Sequence, residues 1–264
     1  MRIAVVGKGG SGKTTFAGAL ARVLAKRSHR ILAIDGDPNP NLAMSLGLSA
    51  DTADAIPSIP SSVVESIAQA EGPNVLKLTM SQDALIGQYG REAPDGIRLI
   101  VMGKPADGSA GSGCMCGSHR AVRGLIAEMT AFGDYTITDM EAGLEHLKRG
   151  TARNVETMLV VVEPYYRSLE AGARTFSLAR ELRIPHLYAV ANKVRDDADR
   201  RAIAAYCEQH GMPILGEVPF EDEFVMAERS GRAPFDYAPR AKGIGAIEAI
   251  ADRLAELVRP PIAA

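Results

Sequence analysis

The chain is expected to form an α/β fold: one doubly wound, mostly parallel sheet with helices on both faces. Three observations predict it. Short apolar runs alternate with stretches of helical period, so the pattern reads as repeated strand–helix units. The runs are near-continuous in apolar residues, as in strands covered on both faces. A glycine-rich turn joins the first run to the first helical stretch. With 264 residues and no internal repeat, low-complexity tract or linker, residues 1–264 read as a single domain.

Taken in order, residues 3–6 (Ile-Ala-Val-Val) form a short buried strand, and Phe16, Leu20, Val23 and Leu24 then fall on one face of a helix. Residues 30–35 give a second strand ending in the polar run Asp35-Gly36-Asp37-Pro38-Asn39-Pro40-Asn41. Ser62 and Glu65 have capping-box spacing, which predicts a short helix through about Ala70. Residues 75–79 read as an edge strand and 97–102 as a central one. A Gly- and Ser-rich loop, 103–117, precedes a helix with Val122, Leu125, Ile126 and Met129 inward. Three further strands, 135–139, 158–162 and 187–191, are separated by helices near 167–182 and 197–210. A last strand at 214–218 leads to a closing helix near 242–258, with Ile244, Ile247, Ile250, Ala251 and Leu254 as its core stripe.

The turn Gly7-Lys8-Gly9-Gly10-Ser11-Gly12-Lys13-Thr14-Thr15 fits the pattern G-x-x-x-x-G-K-[ST] in the context its mechanism requires. Strand, turn and helix N-terminus aim backbone N–H groups and the positive end of the helix dipole at an anion. Gly9, Gly10 and Gly12 let the backbone approach phosphate oxygens without a Cβ in the way. Lys13 can reach the β- and γ-phosphates, the Thr14 hydroxyl can hold Mg²⁺, and Ser11 and Thr15 complete the cradle. The chain is expected to bind a nucleoside triphosphate.

Composition agrees with an intracellular enzyme. Formal net charge is −2 with both signs spread along the chain, so nothing points to nucleic acid or an anionic membrane surface. No apolar run approaches the ~20 residues needed to span a bilayer. The first strand begins at once, leaving no room for a signal peptide. Three cysteines do not make a disulfide framework, so a cytoplasmic location is expected, where a Cys pair points to metal or redox chemistry.

The pattern K-G-G-x-G-K-T-T resembles the deviant P-loop family, which includes the MinD and ParA positioning and partitioning ATPases, the arsenite-pump ATPase and the nitrogenase iron protein. In that family the extra lysine, here Lys8, crosses a nucleotide-sandwiched dimer to touch the partner's phosphates. Its logic is that of an arginine finger, which in trans can contribute roughly 10³–10⁵ in rate. Ligands of such sheets sit beyond the carboxyl ends of the strands, so the acidic residues there matter most. Asp37 matches the switch I aspartate that orients the attacking water. Asp139 reads as the Walker B carboxylate that holds Mg²⁺, and Gly143 has the spacing of a switch II glycine. Ala191-Asn192-Lys193-Val194 is similar to the guanine-reading N-K-x-D, but the fourth position is Arg195, so the resemblance implies adenine. It places Asn192 and Lys193 at the base, with Pro219 and Glu221 of Val218-Pro219-Phe220-Glu221 flanking the ring.

Gly113-Cys114-Met115-Cys116-Gly117 is the second informative feature. Two cysteines one residue apart can turn both sulfurs to one side, which gives half of a four-coordinate thiolate site. A two-fold dimer would complete it. Cys114 aligns with a cluster ligand of the nitrogenase iron protein, but that protein's second cysteine, due shortly after Asp139, is absent from residues 139–146. A deviant P-loop ATPase carrying C-x-C resembles the CooC family, which assists nickel insertion into carbon monoxide dehydrogenase. The likeness runs over nearly the whole chain and includes residues 139–147. It implies a homodimer binding ATP with Mg²⁺, and Ni²⁺ or Zn²⁺ through Cys114 and Cys116 of both protomers. Its client would be a metalloenzyme such as carbon monoxide dehydrogenase. A MinD/ParA-like positioning or partitioning ATPase switch, or an iron–sulfur carrier or reductase, is the alternative. Cys207 reads as a core residue, and His119 and His146 as residues near the metal and switch regions.

Overall fold

The computed structural model describes residues 1–69, 74–102, 116–129, 133–143, 152 and 154–258. Strands β1 (Arg2–Gly7), β2 (Ile31–Gly36), β5 (Arg91–Ala93), β6 (Ile97–Val101), β7 (Tyr135–Met140), β8 (Thr157–Val162), β9 (His186–Val194) and β10 (Ile214–Pro219) form one sheet. Its order is β10-β9-β8-β1-β7-β2-β6-β5, and β5 alone runs antiparallel to its neighbour. β1 shows why both faces must be covered. Ile3 and Val5 enter one buried cluster, with helices α1 (Lys13–Lys26) and α10 (Lys242–Val258). Ala4 and Val6 enter the other, with α5 (Cys116–Glu128), α6 (Tyr166–Glu181) and α7 (Asp197–Gln209). The period-2 alternation of a strand thus feeds two cores from one buried sheet.

Among the described residues, five shorter helices decorate this frame: α2 (Leu42–Ser45), α3 (Ala50–Asp54), α4 (Gln82–Tyr89), α8 (Asp222–Arg229) and α9 (Pro234–Tyr237). The inward stripe of α5 is as expected, with Val122, Leu125, Ile126 and Met129 all buried. Cys207 is buried in α7, and burial pushes its thiol up to about 11. No helix among the described residues is long and apolar enough to cross a membrane.

The helix expected from Ser62 is not formed. A single 3₁₀ turn, Ser61–Val63, leads directly into strand β3 (Val64–Ile67). β3 pairs antiparallel with β4 (Val75–Leu78) in a separate two-stranded sheet, so 75–79 is not an edge of the main sheet. Strand pairing overrides the local capping signal: Thr79 donates its N–H to the Val63 carbonyl at 2.9 Å, and Val64 packs so closely on Gly124 of α5 that a Cβ there would meet it at 2.6 Å.

The register sets up the site. β2 and β7 pair with Asp35 beside Asp139 and Gly36 beside Met140. Both aspartates therefore leave the sheet at its carboxyl edge, next to the turn that follows β1.

Candidate functional site

The turn between β1 and α1 has the shape its glycines predict. Ser11 donates its N–H to the Lys8 carbonyl at 3.0 Å, and Gly10 and Gly12 sit at φ 82° and 87°. That left-handed region costs a residue with a Cβ about 1–2 kcal/mol. Gly12 is also the N-cap of α1 and brings no side-chain cap, which leaves the first-turn amides free for a ligand. Space matters as well as φ, because a Cβ on Gly12 would lie 2.5 Å from Asn192 Nδ2. A cavity of about 460 Å³ opens on this turn. Lys13, Thr14 and Thr15 line one end, and Asn192, Pro219, Phe220, Glu221 and Phe224 the other.

At the first end, Lys13 is buried with its Nζ 3.4 Å from Asp37 Oδ2 and 3.9 Å from Asp139 Oδ1. Thr14 Oγ1 donates to Asp139 Oδ2 at 2.6 Å. Asp139 is fully buried. Burial pushes its carboxyl up to about 7, Lys13 pulls it down, and Asp35 raises it further. Its Oδ1 has no hydrogen-bond partner among the described residues. An orphaned buried carboxylate oxygen beside a threonine hydroxyl is a donor set of hard oxygens, which suits Mg²⁺. Thr14 and Asp139 could hold that ion.

Asp37 holds the Asn39 N–H at 2.9 Å in a local turn. Beneath it lies a group that sequence reading passed over. Asp35 is fully buried, its Oδ1 accepts the Asp37 N–H at 3.2 Å, and its Oδ2 accepts the Leu42 N–H at 2.8 Å. Burial pushes Asp35 up to about 6, against the pull of those donors. The spacing Asp35-Gly36-Asp37 carries the signal, since Asp side chains bond backbone two residues on.

At the second end the structure adds a task for the residues expected at the base. Asn192 donates Nδ2 to the Ser11 carbonyl at 2.7 Å, and Lys193 Nζ donates to the Gly10 carbonyl at 2.5 Å. Consecutive side chains thus pin consecutive carbonyls of the turn outward, and Asn192 keeps Oδ1 and one N–H for another partner. Lys193 adopts φ 58° and pairs with Glu163 Oε1 at 2.8 Å. Glu163 was not anticipated. It follows β8, some 30 positions before its partner, so only the sheet order brings the two together. Glu221 Oε1 accepts the Gly243 N–H at 2.8 Å, at the start of α10, while lining the cavity. Arg195 lies 4.3 Å above the Phe220 ring and donates to the Tyr165 hydroxyl at 2.9 Å.

Lys8 is exposed on the turn, and Gly143, at φ 102°, is exposed after β7. Cys114 and His146 lie outside the described residues. Cys116 is the first residue of α5, and His119 lies in its first turn.

The CobQ/CobB/MinD/ParA nucleotide binding domain matches residues 3–235. The carbon monoxide dehydrogenase accessory protein CooC of Rhodospirillum rubrum is 34% identical over 250 residues, which covers 92% of each chain. An uncharacterised ATP-binding protein of Methanocaldococcus jannaschii is 34% identical over 236 residues, 88% of this chain and 90% of its own. Among solved structures, the septum site-determining protein MinD complexed with Mg-ADP from Pyrococcus horikoshii superposes with a TM-score of 0.72 at 19% identity. The superposition covers 97% of this chain and 96% of that one.

Proposed function

Because the chain belongs to the CobQ/CobB/MinD/ParA nucleotide-binding family and is a homologue of CooC within it, we propose that it is a Mg²⁺-dependent, homodimeric ATPase. Its hydrolysis would serve nickel insertion into a client metalloenzyme. One observation carries the hydrolytic reading: at the N-terminus of α1, Lys13 lies 3.4 Å from Asp37 and 3.9 Å from Asp139, and Thr14 donates to Asp139 at 2.6 Å. Lys13 and the amides of Gly10 to Thr15 bind the phosphates. Asp37 orients the attacking water, and Lys8 reaches a partner protomer's nucleotide. Mg²⁺ held by Thr14 and Asp139 would neutralise charge on the β- and γ-phosphoryl oxygens. Asn192, Lys193, Pro219 and Glu221 border the base, adenine, with Gly143 near the γ-phosphate.

The cargo reading rests on Cys114 and Cys116 together with the CooC homology. Two such pairs across a dimer would offer four thiolates to Ni²⁺ or Zn²⁺. A carbon monoxide dehydrogenase is the client this favours. The fold shared with MinD favours a second reading, a positioning switch, which has no use for the C-x-C. Lys13→Ala should abolish ATP binding, whereas Asp37→Ala should bind ATP and not turn it over. Metal analysis of anaerobically purified protein separates the two readings. Stoichiometric nickel or zinc supports the first, and metal-free protein with normal turnover supports the second.

A further inference from the structure

Segment 37–42 must hold Asp37 still enough to direct a water, yet it has little to hold it. Its sequence, Asp-Pro-Asn-Pro-Asn-Leu, contains two prolines that cannot donate backbone hydrogen bonds. Its side chains make two local cross-links, Asn39 N–H to Asp37 Oδ1 at 2.9 Å and Asn41 Nδ2 to the Asn39 carbonyl at 2.7 Å, and one to α1, Lys13 Nζ to Asp37 Oδ2 at 3.4 Å. None of the three fixes the segment to the sheet. Asp35 does. Its two carboxylate oxygens take the first and last backbone N–H groups of the segment, from Asp37 and Leu42, and it is wholly buried at the end of β2. Its own carbonyl accepts the Met102 N–H at 2.8 Å, beyond β6, so the anchor itself is held on both sides.

We infer that Asp35 is a positioning residue: its carboxylate staples both ends of segment 37–42 to the sheet and so fixes Asp37 over the phosphate site. The inference rests on the hydrolytic reading above, because Asp35 acts through Asp37. A carboxylate is required, not merely a polar group of that size. An amide has one acceptor oxygen, so Asp35→Asn can satisfy one N–H and must turn its own NH₂ toward the other.

The test is Asp35→Asn in the full chain, with ATP affinity, turnover and backbone amide exchange measured together. The substitution removes a negative charge from the floor of the phosphate site, so ATP affinity should hold or rise. Turnover should fall by about 10²-fold, the penalty of a catalytic group misplaced by about 1 Å. Amide exchange at Asp37 and Leu42 should quicken while that of β2 and β7 stays slow. A variant that merely loosens the fold would lose affinity and turnover together, and that result overturns the inference. So does parent-rate turnover, or unchanged exchange at both amides. A parent protein that does not hydrolyse ATP would sink the hydrolytic reading instead, and the two amides would then decide the staple alone.

Discussion

Arg22 is the best place to test whether the nucleotide cleft is held from behind. Its guanidinium is buried in α1 and uses every side. Nε donates to Asp95 Oδ2 at 2.5 Å, Nη1 to the Leu46 carbonyl at 2.7 Å, and Nη1 and Nη2 grip both oxygens of Asp236 at 3.0 and 2.8 Å. The Phe235 ring lies 4.9 Å below it. It therefore ties α1 to the end of α2 and to α9, whose Pro234 lines the cavity. Removing one partner of a buried pair costs about 3–5 kcal/mol. Asp95 and Asp236 are 15% and 36% exposed and would regain some water, so Arg22→Met should cost about 2–4 kcal/mol. For a chain of this size that lowers Tm by roughly 5–15 °C. Acid gives a second handle. Burial alone would raise Asp95, but the hydrogen bonds from Arg22 and Lys26 outweigh it and hold the carboxyl below its usual value. A depressed folded pKa stabilises above the unfolded value, about 3.9, and that contribution fades as pH falls through the folded one. Urea unfolding should show the full parent-to-variant gap near pH 7 and a narrower one near pH 3. A gap under about 1 kcal/mol at neutral pH, or one that does not shrink in acid, would refute the reasoning.

Gly12→Ala should abolish nucleotide binding, since its Cβ meets Asn192 Nδ2 in a left-handed backbone; retained affinity by calorimetry would show that the turn relaxes. Glu163→Gln removes the charge that holds Lys193 on the Gly10 carbonyl. Because Lys193 is partly exposed, the expected loss is modest, about fivefold in ATP affinity from ~1 kcal/mol. Lys8→Ala should bind ATP but not assemble the ATP-dependent dimer, and sedimentation with ATP and Mg²⁺ will reveal an unimpaired dimer if the trans role is wrong. Cys114→Ser with Cys116→Ser should lose nickel or zinc and keep ATP. Parent metal affinity should fall as pH drops, because thiolate ligation releases protons.

What could be read from the residues was what their own neighbours determine. The P-loop is local, because its glycines are demanded by positive φ within one turn, as Gly10 and Gly12 show. The strand that carries Asp139 was legible from its apolar run. The Glu163–Lys193 pair was not, since its partners lie on β8 and β9 and meet only once those strands lie side by side. The misread helix at Ser62 fails for the same reason. A capping box competes with a strand partner it cannot see, and here β4 and Gly124 prevail. Helices α8 and α9 form a wall of the cavity but span 8 and 4 residues, too short for a periodic signal.

The same register explains why nucleotide and C-x-C belong in one argument. Asp35 grips segment 37–42 with its side chain and the Met102 N–H with its carbonyl, and Met102 precedes Cys114 in the sequence by 12 positions. One residue on, a Cβ at Gly36 would stand 3.0 Å from the Asp139 carbonyl and 3.7 Å from Val122 of α5, the helix that begins with Cys116. Met102 and α5, on either side of the C-x-C in the sequence, thus both meet the backbone of Asp35 and Gly36, a junction next to Asp37. A close-packed interior transmits displacement rather than absorbing it. Movement of Asp37 toward a γ-phosphate would strain that junction, and strain shared by two sites is the physical content of a coupling free energy. By linkage it acts in both directions. If ATP shifts metal affinity by some factor, metal must shift ATP affinity by the same one, and a chain in which only one of the two responds cannot be coupled through this junction.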